Sequence, residues 1–265
     1  MKNFKYLFVF IFLLPFLSCD KDDAKKILDT LNDNLSNEEI IEGLKSALVV
    51  GTDTSVTTVS AVNGYYKDEA IKILMPEEAN IILDNKDDIN SVASALFLGD
   101  NFIDGLIEDL VLRINRSAED AAVKAKPIFV KSITSMSIDD AVNILHGEEN
   151  AATAYLKTNT FDSLTNAFAP DINASLDKPI GVKGISANEA WHTLTTEYNK
   201  IANNFLASAF GLEPIQETEL GTYVTHKALD GLFMKVEKEE KDIRTDVNSR
   251  VNDILQKVFG ELDKE

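Results

Sequence analysis

Apolar residues recur every three or four positions along most of the chain, with polar residues between them. This spacing predicts helices rather than strands. The clearest run is 101–125, where Ile103, Leu106, Ile107, Leu110, Ile114, Ala118, Ala121 and Ala125 line one face. Further helices are expected at 87–98, 127–135, 137–146, 149–158, 160–177, 187–208, 216–241 and 245–260. Ser36-Asn37-Glu38-Glu39 has the form of a capping box and opens another, with Ile40, Leu44 and Leu48 as its stripe. Gly43, Ala47 and Gly51 repeat every four residues on that helix and permit close approach by a neighbour. The Thr- and Val-rich residues 52–62 read as its continuation, and Asn63-Gly64 as a turn. Residues 71–75 read as a short extended piece ending at Pro76. Ser137 caps the helix that Gly147 stops, and Pro179, Gly181 and Gly184 mark the most loop-like stretch. No repeat of solenoid length occurs. The fold class expected is all-α: an irregular multi-helix bundle of about nine to eleven helices in one domain, 35–262.

The first residues break the helical spacing. Lys2 and Lys5 precede an almost unbroken apolar run from Tyr6 to Leu17, then Ser18-Cys19 and the acidic Asp20-Lys21-Asp22-Asp23. A spanning helix needs roughly 20 apolar residues, and this run has about a dozen. The pattern is that of a lipoprotein signal peptide, 1–18, with Cys19 as the acylated first residue of the mature chain and 19–34 as an acidic tether. Cys19 is the single cysteine of the sequence, so no intramolecular disulfide competes for it. Several acyl chains on one residue make membrane attachment effectively permanent. Lys21-Asp22-Asp23 resembles the signal that sends lipoproteins of the Bacteroidota group to the outer face of the outer membrane. The expected location is therefore exported and lipid-anchored at the outer membrane, on its periplasmic or cell-surface face.

Composition supports a folded domain and excludes some partners. The 265 residues are 45% hydrophobic, enough for a real core, and carry a formal net charge of −18. That charge disfavours nucleic acid, whose binding depends on cationic contacts to phosphate. It also disfavours electrostatic docking on anionic lipid, which leaves the lipid on Cys19 as the membrane contact.

Candidate chemistry is sparse. Glu189-Ala-Trp-His192 is a lone Glu-x-x-His pair, whereas di-iron bundles use two. His226 and Asp230 lie four apart with no nucleophile motif beside them. No zincin, phosphate-loop, nucleophile-elbow or dinucleotide signature is present. No catalytic residue, metal site or cofactor is implied. On a helical wheel, Asp109, Arg113, Arg116 and Asp120 share one stripe, with Glu108, Asn115 and Glu119 opposite the apolar face; solvated or interhelical ion pairs are expected there. The run Glu237-Lys-Glu-Glu-Lys-Asp-Ile-Arg244 reads as an exposed helix end with Glu237–Lys241 and Glu240–Arg244 pairs.

Several ordered blocks resemble the bacterial envelope family known as domain of unknown function 4197. They are 35–48 with Gly51-Thr52, Asn115-Arg-Ser-Ala-Glu119, Ala125-Lys-Pro-Ile-Phe129, Met136-Ser-Ile-Asp-Asp-Ala141, Ile144-Leu-His-Gly147 with Ala151-Ala-Thr153, and Tyr223 through Phe233. Glu239-Glu240, Ile243-Arg244, Arg250 and Phe259-Gly260 complete them. The resemblance implies a helical, exported, often lipid-anchored protein with no assigned activity. It also places Arg116, Glu119, Asp230, Glu240, Arg244 and Arg250 on motif positions, which favours buried ion pairs for some of them. Two readings of Asn115, Arg116, Glu119, Tyr223, Asp230, Glu240, Arg244 and Arg250 stay open: structural ion pairs in a binding or scaffolding module, or a polar pocket in a small-ligand carrier or enzyme.

Overall fold

A computed structural model describes residues 35–80, 84, 87, 102–180, 185–203, 214, 216, 219–261 and 263. The leader, Cys19 and the tether lie outside the described residues, as does almost all of the helix expected at 87–98. From Asn37 onward the chain forms one compact unit.

That unit is all-helical, with eight α-helices among the described residues against the nine to eleven expected. They are α1 (Asn37–Ser60), α2 (Phe102–Ala122), α3 (Ala125–Ser135), α4 (Ile138–Leu145), α5 (Ala151–Leu176), α6 (Ala187–Ala202), α7 (Leu220–Thr245) and α8 (Asp253–Phe259). Short 3-10 turns cover Glu77–Ala79 and Val247–Ser249. A two-residue antiparallel ladder, β1 (Pro179–Ile180) with β2 (Ile185–Ser186), precedes α6 where only a loop was expected.

The departures from the expected boundaries have local causes. The Thr-rich half of α1 continues the helix to Ser60 as expected, and Thr52 and Ser55 satisfy their hydroxyls on the carbonyls of Leu48 and Gly51, both at 2.7 Å. α2 stops at Ala122, and α3 starts two residues before Pro127, so the proline falls in the first turn, where an N–H has no helical partner. The two helices expected at 149–158 and 160–177 are one helix, α5. Thr160 at the expected break is buried and donates to Leu156 O at 2.6 Å, so the turn continues. α7 runs on to Thr245 instead of stopping at 241. The Ser137 cap is present as a reciprocal box with Asp140.

α1, α5 and α7 form the centre. α7 packs on α5 and α1; α5 also meets α2 and α3; α8 lies against α1. Leu156, Leu164, Phe168 and Ile172 of α5 are fully buried, as are Val224, Ala228, Leu229 and Leu232 of α7 and Ile114, Ala118 and Ala121 of α2. Phe129 meets Phe233 edge-on at 5.9 Å between ring centres. α8 approaches α1 closely at Gly43, for a Cβ there would sit 2.4 Å from Val258 Cγ2.

Candidate functional site

α1 ends in a tight reversal. Asn63 adopts φ 73°, and a Cβ on Gly64 would lie 2.4 Å from the carbonyls of Thr58 and Val59, so only glycine fits. The reversal exposes backbone N–H groups toward α2, and Glu119 receives them. Asn63, Tyr65 and Tyr66 each donate a backbone N–H to its carboxylate at 3.2 Å. Arg116 pairs with the same carboxylate and donates to Asn63 Oδ1 at 2.8 Å. One turn earlier, Asn115 acts as a surrogate strand. It accepts from Ile73 N–H at 2.9 Å and donates to Ile73 C=O at 2.8 Å. Asn115 is fully buried and Glu119 is 3% exposed. Both were expected on the face away from the core. They are buried because segment 63–73 covers that face, and Arg116 turns to Glu119 and Asn63 instead of joining a solvated stripe.

The pinned segment forms one wall of a groove. Tyr65 is fully buried and donates its hydroxyl to Ala228 O of α7 at 2.7 Å. Burial holds that hydroxyl far above the usual tyrosine range, and the Glu119 charge adds to the effect. Asp68 pairs with Lys235 of α7; the Lys235 hydrogen bond keeps the Asp68 carboxyl below its usual range. Past this anchor, residues 70–74 run along α7. Tyr223 donates to Leu74 O at 3.3 Å. At the other end a Cβ on Gly231 would be 3.1 Å from Ile71 Cβ. The segment therefore lies antiparallel to α7. Between them is an open groove of about 510 Å³, lined by residues 70–74 and by Tyr223, Lys227, Asp230, Gly231 and Met234. That size is typical of small-molecule sites. Tyr223 is half-buried; burial raises its hydroxyl, with Glu78 and Glu77 adding to the effect.

A second polar cluster sits at the opposite end of α7. Glu240 accepts from the N–H groups of Ala152 (2.9 Å) and Thr153 (2.7 Å) and from the Thr153 hydroxyl (2.8 Å). It thereby places a negative charge on the positive N-terminus of α5. Arg244 donates Nε and Nη2 to Glu240 Oε1, both at 3.0 Å. It also donates to the carbonyls of Leu145 (3.1 Å) and Ile144 (2.8 Å), closing the C-terminus of α4. Arg250 does the same for α7, donating to Ile243 O at 3.0 Å and Arg244 O at 2.9 Å. Its free edge forks onto Asp263 at 2.5 and 2.8 Å. That hydrogen bond raises the guanidinium further and lowers the Asp263 carboxyl. Glu240, Arg244 and Arg250 are all buried. The cavity beside Glu240 and Arg244 is about 20 Å³, room for about one water molecule. The run 237–244 is thus not an exposed helix end. Only its outer side is: Lys241 pairs with Glu149 across to the α4–α5 connection, and Lys238 pairs with Asp242. Glu237 accepts from Asn150 at 3.4 Å rather than pairing with Lys241.

The family model described as "Protein of unknown function (DUF4197)" matches residues 34–260. The chain belongs to this family. No curated protein and no solved structure matches it. In this DUF4197 chain the motif positions separate into three kinds. Asn115, Arg116 and Glu119 bracket the groove wall. Glu240, Arg244 and Arg250 close helix ends. Tyr223 and Asp230 line the groove, with Asp230 at its rim, about half exposed and 3.5 Å from Lys157. Glu189 and His192 are both exposed on α6, while the neighbouring Trp191 is buried. The spacing argument missed Tyr65, Lys72 and Lys227. Tyr65 follows directly on the Asn63-Gly64 turn, and Lys227 lies four residues after Tyr223; those were the available signals.

Proposed function

We propose that this DUF4197 protein is a lipid-anchored envelope protein, held at the outer membrane through Cys19, whose helical domain acts by binding rather than by catalysis. The groove between 70–74 and α7 is its binding site. The observation that carries this reading is the fate of the polar motif. Its arginines and its two glutamates are engaged by helix ends, by the 63–66 loop and by each other, and the small cavity beside Glu240 and Arg244 has no room for a substrate. An open concavity among the described residues is the amphipathic groove that the Asn115–Glu119 bracket positions. The leader, the acidic tether and the resemblance of Lys21-Asp22-Asp23 to a surface-export signal support the anchor, on the periplasmic or the cell-surface face.

Two measurements test the reading. Replacing Cys19 by Ala should abolish incorporation of a labelled fatty acid and release the protein from membranes; continued membrane retention would contradict the anchor. A thermal-shift screen against metabolites and cations should give hits that are lost in Leu74→Asp, at a 60% exposed side chain of the groove wall. Hits lost instead in a folded Arg116→Ala variant and retained in Leu74→Asp would move the site to the motif and favour a polar-pocket carrier or enzyme. Turnover of a bound compound would overturn the binding-only reading.

A further inference from the structure

The charge inside the groove runs against the charge of the chain. The protein carries a formal −18, yet the groove is lined by two lysines, Lys72 and Lys227, that pair with no carboxylate among the described residues. Two neighbouring lysines do pair. Lys235 takes Asp68, and Lys157 takes Asp230 at 3.5 Å. Those pairings engage Asp68 and Asp230; Glu69, also in the 68–70 turn, is exposed and pairs with neither Lys72 nor Lys227. Lys72 and Lys227 instead rest on aromatic faces, Lys72 4.8 Å from the centre of the Tyr66 ring and Lys227 5.8 Å from that of Tyr223. A cation held this way keeps its N–H donors for another acceptor.

The antiparallel arrangement of 70–74 on α7 sets the order along the groove. Tyr223 and Leu74 stand at one end, with Glu77 and Glu78 close enough to act on the Tyr223 hydroxyl. Ile71, Gly231 and Met234 stand at the other. Lys72 and Lys227 fall between. From Tyr223 to Met234 the helix rises about 16 Å. The apolar part of the walls is partly open to solvent, Leu74 at 60% and Met234 at 49% exposure.

We infer that the groove takes an organic carboxylate with an apolar body. This deepens the binding reading above and rests on it. The carboxylate lies between Lys72 and Lys227, away from Glu77 and Glu78. The apolar body runs toward Ile71 and Met234. Among the described residues no arginine lines the groove, so they offer no planar fork of the kind that favours bidentate phosphate recognition, and a single-charge head suffices.

The test is calorimetric titration of the full chain in nanodiscs, with empty nanodiscs as the blank. The probes are 4-phenylbutyrate, 4-phenylbutanol, 4-phenylbutylamine and 4-phenylbutyl phosphate. Saturable binding of the carboxylate is expected, with the alcohol and the amine at least about tenfold weaker. The double variant Lys72→Met/Lys227→Met keeps the apolar stems and should lose that preference while melting with the native protein. Equal binding of the amine, or an unchanged carboxylate preference in the double variant, would overturn the inference. So would a phosphate that binds tighter than the carboxylate. If the alcohol or amine binds and Leu74→Asp removes it, the groove remains a binding site and only the anion inference falls. If no probe binds and the broad screen is also silent, the binding reading itself falls.

Discussion

Glu119 and Glu240 are both nearly buried carboxylates that accept backbone N–H groups, yet they hold different things. Glu240 receives the first turn of a helix and shares its charge with Arg244, whose side chain is 7% exposed. Glu119 receives an irregular loop, and its partner Arg116 is 31% exposed. The first arrangement locks α4, α5 and α7 into fixed relation. The second fastens a strip of chain that lines a groove. A family motif of Arg and Glu therefore carries two tasks, one for the fold as a whole and one for the site.

The largest loss is expected from removing one partner of the nearly buried Glu240–Arg244 pair. Arg244→Ala leaves the Glu240 charge without its guanidinium and strips the donors from Ile144 and Leu145. A loss of about 3–5 kcal/mol in urea unfolding is expected. Glu119→Ala should cost less, about 2–3 kcal/mol, because the freed N–H groups of Asn63 and Tyr66 are only partly buried, although that of Tyr65 is left inside. It should also loosen the groove wall, raising protease cleavage near 63–68 and weakening any groove ligand. An Arg244→Ala protein that still folds should keep that ligand affinity.

Tyr65→Phe comes next. Losing the bond to Ala228 should cost about 1 kcal/mol at neutral pH. The folded hydroxyl titrates well above its unfolded value. Its contribution is therefore fully present below the unfolded tyrosine pKa, about 10, and is lost as pH rises beyond it. Stability measured from pH 9 to pH 11.5 should fall more steeply in the native protein than in Tyr65→Phe; equal slopes would mean that Tyr65 ionises freely. Asp68→Asn should have the smallest effect, since the Asp68–Lys235 pair is partly exposed. The Asp68 carboxyl is depressed by the Lys235 hydrogen bond. Its contribution is present above the usual carboxylate pKa and fades as pH falls through the lowered one. The variant and the native protein should converge in stability at strongly acid pH, and a gap that persists there would contradict this pairing.

Much of the fold could be read from spacing. The apolar stripe of α2, the Ser137 cap, the Asn63-Gly64 turn and the extended 71–75 piece all rest on local chemistry. The Gly43 approach was legible as well, because a small residue on a helix face announces a neighbour. What spacing could not give was which polar face would be covered. Asn115 and Glu119 look solvated on a wheel, and only the return of 63–73 across α2, a tertiary event, buries them. The same holds for Glu240 and Arg244. Their i,i+4 pairing was readable, but the helix ends they serve come from α4 and α5, roughly ninety to a hundred residues away. The groove was invisible for the same reason: its two walls meet only in the folded chain.

The central claim is that the buried charges of Glu240, Arg244 and Arg250 hold helix ends and are not ligand contacts. A double-mutant cycle on Glu240 and Arg244, Glu240→Gln and Arg244→Met with their combination, tests it most directly by urea unfolding. Each single change should destabilise strongly. The double change should cost less than the sum of the two, with a coupling of about 2 kcal/mol. Single variants within about 0.5 kcal/mol of the native protein, with no coupling between them, would contradict the claim.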